Sequence, residues 1–312
     1  MANIVADGIA TTAAKVLRAA GKMRGTSRAA MAVNKVVLSL GATRLREATL
    51  KDGSRLLLDL RSIGQYQAYY SGSFDDLWVS IGSDLLEDDK LYLDVGANIG
   101  VYGTRVARRH QVPGQVHCFE PLPNNVARLR SNIAANGGEQ FVTVHEFGLS
   151  DADAHLPLLL REDFTGGADT GNASIQIAEE FDPQFQRVVI EVRRLDDHAD
   201  ILGDRPVGVI KVDVEGHEDQ FFKGAASIIA RDRPIIIAEI FQFYLDQKDI
   251  TAQYIYQDCL PPDYTIYRDL RKHERPRGDR SIDHLVKVGS FAELGRLENI
   301  LLCPNEKCAR LA

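Results

Sequence analysis

Between residues 91 and 240 the chain repeats one pattern. A run of apolar residues ends in glycine or an acid, and after three of the runs a stretch with apolar residues at helical spacing follows. Leu91–Val95 stops at Gly96, Val116–Phe119 at Glu120, Val142–Phe147 at Gly148, and Val207–Val214 at Glu215-Gly216. Pro234 halts a helix before the run Ile235–Ile240. The intervening stretches are Val101–Arg109, a face of Val126, Leu129 and Ile133 stopped by Asn136-Gly137-Gly138, and a face of Phe221, Phe222, Ala225, Ile228 and Ile229. Apolar strands without alternation must bury both faces, so the expectation is α/β: a mostly parallel sheet with helices on both sides and right-handed crossovers. Such a sheet binds ligands beyond the carboxyl ends of its strands. Tyr264–Tyr267 and Ile300–Cys303 are candidates for two late strands, and Arg187–Val192 is an extended piece within an irregular stretch from Asp151 to about Asp197.

The first segment differs in charge. Residues 1–46 hold eight bases and one acid, Asp7, a net +7 in a chain of 312 residues whose total is −7. The acidic remainder, and the lack of any aromatic residue before Tyr66, argue against a nucleic-acid binder. Ile9, Ala13, Val16, Leu17 and Ala20 suggest one helix; Met31, Val33, Val36, Val37 and Leu40 suggest a second. These basic helices can pack on the parent domain, join copies in a homo-oligomer, or touch a membrane surface. Leu50–Leu60, with Asp52-Gly53, reads as a hairpin. No run of 18 apolar residues and no signal-peptide core occurs, so a cytoplasmic location is expected, with membrane association left open. Cys118, Cys259, Cys303 and Cys308 form no disulfide framework, and Cys303 with Cys308 lacks a second pair for zinc.

The first strand opens into Asp94-Val95-Gly96-Ala97-Asn98-Ile99-Gly100. Asn98 stands where a dinucleotide fingerprint needs glycine, so pyrophosphate binding is disfavoured. An acid followed by G-x-x-x-G suits S-adenosyl-L-methionine: Asp94 can accept from its ammonium, the glycines admit its methionine tail, and the helix N-terminus favours its carboxylate. Glu120, before Pro121, can accept both ribose hydroxyls. Ser150 and Asp151 end the third strand, in position for an adenine edge, although Asp151 could equally be a turn residue.

Charges interrupt the fourth strand at Lys211, Asp213 and Glu215, followed by Gly216-His217-Glu218. Period-two alternation puts the three on one side, where burial is costly unless they pair or reach the open strand end. A structural lysine–carboxylate network is the alternative. The Asx-Pro-Pro-aromatic loop common in nitrogen methylases is missing here, which points to an oxygen acceptor.

In these blocks, together with Asn172-Ala173-Ser174-Ile175 and Arg194-Leu195-Asp196, the chain resembles the FkbM family of S-adenosylmethionine-dependent methyltransferases over roughly residues 91–240. The resemblance implies a Rossmann-like class I methyltransferase fold with a seven-stranded sheet, and O-methylation of sugars, glycans or secondary metabolites. It also implies cofactor contacts by Asp94, Gly96, Asn98, Gly100, Glu120 and Asp151, and a place near the acceptor for Ser174. We divide the chain into a basic helical extension, residues 1–48, and a methyltransferase domain, residues 49–312, with its cofactor core at about 88–245.

The expected reaction is in-line attack of an acceptor oxygen on the sulfonium methyl, with Asp213, Glu215 or His217 as base. A divalent metal on Asp213, Glu215 and Glu239 is the alternative, and is not the reading adopted. Tyr66, Tyr69, Tyr70 and Trp78 could stack on a sugar ring or anchor the hairpin in the core. The rival function is a catalytically idle module acting in assembly or membrane association.

Overall fold

The computed structural model describes residues 3–21, 25–160, 173–175, 186–270, 276 and 278–311. Its centre is an eight-stranded sheet. Five strands are parallel: β3 (Leu91–Val95), β4 (Val116–Phe119), β5 (Val142–His145), β10 (Val207–Val212) and β11 (Ile235–Phe241). Three more, β12 (Tyr264–Asp269), β13 (Leu285–Lys287) and β14 (Leu297–Pro304), add antiparallel beyond β11. The order is β13-β12-β14-β11-β10-β3-β4-β5. The α/β expectation holds, and the count exceeds seven through β13, a three-residue edge strand too short to leave a periodic signal.

Every residue of β3, β4 and β10 is buried, as a sheet covered on both faces requires. One cover includes α5 (Gly103–His110) and α6 (Pro123–Ala135); the other includes α7 (Glu218–Gly224) and α8 (Ala226–Asp232). The two halves of the last helical face break at Ala225, where a single helix was expected.

The stretch after Asp151 is less irregular than its sequence. Strands β6 (Gly148–Ser150), β7 (Ala154–Leu160), β8 (Ala173–Ile175) and β9 (Gln186–Arg194) form a second sheet in the order β6-β9-β7-β8. Leu158, Ile190 and Val192 pack with Leu122 beside the main sheet.

The N-terminal segment folds as α1 (Ile4–Ala20) and α2 (Thr26–Ser39). The hairpin comprises β1 (Leu45–Thr49) and β2 (Arg55–Asp59), so its first strand lies five residues earlier than expected and runs across the division drawn at residue 48. Residues 50–54, around Asp52-Gly53, form the turn. Ala6, Ala10 and Ala14 share one apolar core with Leu58, Tyr66 and Tyr70. Arg18 donates to Tyr69 O at 3.0 Å and Thr49 O at 2.9 Å, and Asn34 Nδ2 to Leu60 O at 2.7 Å. Alanines every fourth residue let α1 lie close on α3 (Ile63–Ser71).

Tyr70 and Trp78 correct an expectation. Both are buried in this core, and Tyr70 meets Tyr69 edge-to-face at 5.1 Å. They anchor the helices α3 and α4 (Asp76–Leu85) and offer no ring to a substrate, because the aromatic stretch folds inward under α1 and the hairpin.

Candidate active site

A cavity of about 490 Å³ opens at the carboxyl ends of β3, β4, β10 and β11. That size suits a small-molecule ligand. Gly96, Asn98, Glu120 and Pro121 border it from the first two strand tips; Lys211, Asp213, Glu215, His217 and Glu239 border it from the next two.

The first strand tip is a tight cradle. Gly96 has φ +73°, and a Cβ there would sit 1.9 Å from the Asp213 carbonyl oxygen. Asn98 is also left-handed, φ 51°, and its buried Oδ1 has no partner. Gly100, φ +82°, does not border the cavity; its missing side chain makes room for Leu129 of α6. Asp94 is likewise set back. Its Oδ2 accepts from Gly103 N at 2.8 Å, capping α5, and its Oδ1 lies 3.8 Å from Lys211 Nζ.

Glu120 caps β4 and is nearly fully buried. Its Oε2 accepts from Asn98 N at 2.9 Å, and its Oε1 from Leu122 N at 2.9 Å and Asn125 Nδ2 at 3.2 Å. These three donors favour the carboxylate, yet burial outweighs them and pushes its pKa up to about 7. The carboxylate is therefore held rigidly at the cavity wall with lone pairs to spare, as recognition of a vicinal diol requires. With the unpartnered oxygens of Asn98 and Asn125, it fits the nucleoside half of S-adenosylmethionine.

The β10 end carries the charges. Lys211 stands opposite Asp94 in the β10–β3 register and is buried. Burial would lower its pKa, but Asp213 and Asp94 outweigh that and raise it. Its Nζ lies 3.5 Å from Asp213 Oδ2 and donates to Gly96 O at 3.2 Å. β10 ends at Val212, so the expected alternation does not reach Glu215. That residue is left-handed, φ 54°, and its Oε2 accepts from the Tyr244 hydroxyl at 2.5 Å. Glu218 Oε1 accepts from Val214 N and Gly216 N, both at 3.3 Å, and so pins the turn. His217 Nε2 lies 2.8 Å from Ser150 Oγ; burial first, then Lys248, pull the ring down to about 4, which keeps it neutral. Ser150 thus serves His217, and neither it nor exposed Asp151 borders the cavity. Glu239 is pushed up to about 9 by burial and then by the Asp213 and Glu215 charges. Asp213, Glu215 and Glu239 do not assemble as a metal-binding group among the described residues. For Ser174 the structure gives the strand β8, and its side chain lies outside the described residues.

A family model, the methyltransferase FkbM domain, matches residues 94–273. The chain belongs to the FkbM methyltransferase family. These enzymes are S-adenosylmethionine-dependent methyltransferases. Among known proteins, this family member is 27% identical over 194 residues to the 2-O-methyltransferase NoeI of Sinorhizobium fredii, covering 58% of this chain and 71% of that one. Among solved structures it is similar to a methyltransferase FkbM from Methylobacillus flagellatus, at 18% identity and TM-score 0.41, over 77% of this chain and about half (52%) of that one. It is also similar to an rRNA methylase from Streptococcus thermophilus, at 10% identity and TM-score 0.40, over 73% and 94% of the two chains.

The family match begins at Asp94, and part of the cavity comes from before it. Ile63, Gln65, Phe74 and Asp75 border the same space. Asp75 precedes α4 with φ 51° and lines the cavity mouth in the field of the Asp213 and Lys211 charges. Sequence reasoning passed over it because Asp75-Asp76 before a helix looks like ordinary capping. Tyr102, whose ring lies 5.2 Å from Lys211 Nζ, was missed as well. Its apolar neighbours gave it the look of a core residue.

Gly96→Ala tests the cradle. A left-handed alanine costs about 1–2 kcal/mol, and the clash with the Asp213 carbonyl adds roughly 1–3 kcal/mol. Urea unfolding should show a loss of about 2–5 kcal/mol, and calorimetry a marked loss of S-adenosylmethionine binding. Wild-type values in both would mean the two strand tips are not in contact.

Proposed function

We propose that this chain methylates a hydroxyl of a sugar, glycan or secondary metabolite. The observation that carries the reading is one continuous cavity holding both the Glu120 carboxylate and the Lys211–Asp213 pair. NoeI, named a 2-O-methyltransferase, is consistent with an oxygen acceptor.

When bound, S-adenosylmethionine supplies a methyl group already activated by its sulfonium. The chain's own residues hold and orient. Glu120 accepts the ribose diol, and the Gly96 backbone lies open at the neighbouring strand tip. Asp213 is the base: it borders the cavity and is part-exposed, with its charge balanced by Lys211. Glu215 and His217 are less suited, since Tyr244 donates to one oxygen of Glu215 and His217 Nε2 is tied to the Ser150 hydroxyl. Protonated Glu239 can donate to the acceptor molecule. Apolar Leu158, Ile190 and Val192 from the second sheet wall the site and help exclude water.

The test is methyl transfer from labelled S-adenosylmethionine to a panel of sugars, lipopolysaccharide fragments and polyketides, with the product's methyl located by NMR. An O-methyl ether is expected. Methyl delivered only to nitrogen or carbon would refute the acceptor class, and calorimetric binding of NAD without S-adenosylmethionine would refute the cofactor.

A further inference from the structure

We infer that the outward face of α1 and α2 docks on an anionic lipid surface. Of the eleven large apolar side chains exposed among the described residues, seven lie between Ile4 and Leu40. On α1, Val5, Ile9 and Val16 are 69%, 42% and 61% exposed, at spacings of four and seven that place them on one face. With Gly8, Thr12 and Val33 of α2 they line a shallow apolar groove between the helices. Val36 on α2 and Leu40 just after it extend the apolar surface. The opposite sides of both helices are fully used: Ala6, Ala10, Ala14 and Val37 are buried in the core. The apolar face is thus a surplus of an already anchored helix pair.

Charge selects the occupant. Lys15, Arg28 and Lys35 are exposed on the same helices and have no ion-pair partner among the described residues. The one acid, Asp7, is already held by Arg46 at 2.5 Å and by Thr43. α2 contains no acid. A second copy meeting through the same face in a closed twofold dimer would set Lys15, Arg28 and Lys35 against the same cations of its partner, which opposes association. Anionic headgroups would instead neutralise the cations while the apolar stripe enters the acyl boundary. The acidic remainder of the chain would be repelled from the same surface, which fixes the orientation. No described helix is long and apolar enough to cross a membrane, so the pair lies on the surface.

The test uses the full chain and co-sedimentation with vesicles, either phosphatidylcholine alone or an equal mixture with phosphatidylglycerol. Partitioning onto the mixed vesicles should be stronger by about tenfold or more, and should fall as salt rises. The double variant Ile9→Asp, Val16→Asp should lose about tenfold or more of that binding, and so should Arg28→Glu, Lys35→Glu. Both should keep the wild-type unfolding midpoint, because all four side chains are exposed. Equal or absent partitioning of the wild type onto the two vesicle types would overturn the proposal. So would a wild-type dimer in sedimentation equilibrium that the aspartate pair splits, since a second copy would then cover the face.

Discussion

Asp213→Asn is expected to lower kcat by about 10²–10³-fold while the Kd for S-adenosylmethionine stays within about threefold. Asparagine keeps the shape of the side chain and its place beside Lys211, but cannot take a proton. Asp213 N still donates to Val95 O, so the strand end that shapes the Gly96 cradle is retained. Single-turnover kinetics with saturating cofactor separates the chemical step from binding. A variant with wild-type turnover would remove Asp213 from proton transfer and return the role to Glu215 or His217. A variant that loses turnover and cofactor affinity equally would make it a binding residue. The lost negative charge also leaves Lys211 with Asp94 alone, 3.8 Å away, as its carboxylate partner in an ion pair.

Glu120→Ala should weaken S-adenosylmethionine binding by about 10²-fold, the scale of one or two charge-assisted hydrogen bonds at roughly 1.5–3 kcal/mol each. Part of that figure comes from the protein itself, because Asn98 N, Leu122 N and Asn125 Nδ2 lose their acceptor. Glu120→Gln separates the two contributions: it restores much of the stability but little of the affinity. The pH dependence gives a second readout. The diol needs the carboxylate, and the folded pKa lies near 7, so wild-type affinity should fall about tenfold between pH 8 and pH 6. The alanine variant should show no such fall from this group. For folding alone the raised pKa acts in the other direction. The group lends stability that is full below its unfolded value of about 4.5 and is lost as the pH rises through about 7. Isothermal titration across this range measures the affinity. A flat wild-type profile together with an unaltered alanine variant would place the ribose elsewhere.

The parallel core was legible because its strands are buried on both faces and therefore lack alternation. Leu91–Val95 and Val116–Phe119 begin and end where their apolar runs do. The glycine loop and Glu120 were legible too, since strand tips in such a sheet are where ligand-binding residues collect. Edge elements were harder. β13 is three residues long, and the second sheet pairs its strands out of chain order, two of them only three residues long, so each piece looked irregular by itself. Tyr70 and Trp78 were ambiguous because an aromatic cluster looks the same whether it turns into a core or toward a sugar; the packing of α1 decided it.

The residues alone determined the sheet class, the family and the pair of strand tips that would hold a nucleoside, since these follow from local apolar runs and from short motifs at their ends. Only the tertiary structure decided which carboxylates share the cavity. It set Asp94 back behind α5, turned Glu215 toward Tyr244, tied His217 to Ser150, and brought Asp75 in from before the family match. Those outcomes rest on backbone turns at Glu215 and Asp75 and on contacts between distant segments, and the linear order of residues encodes no distance between them.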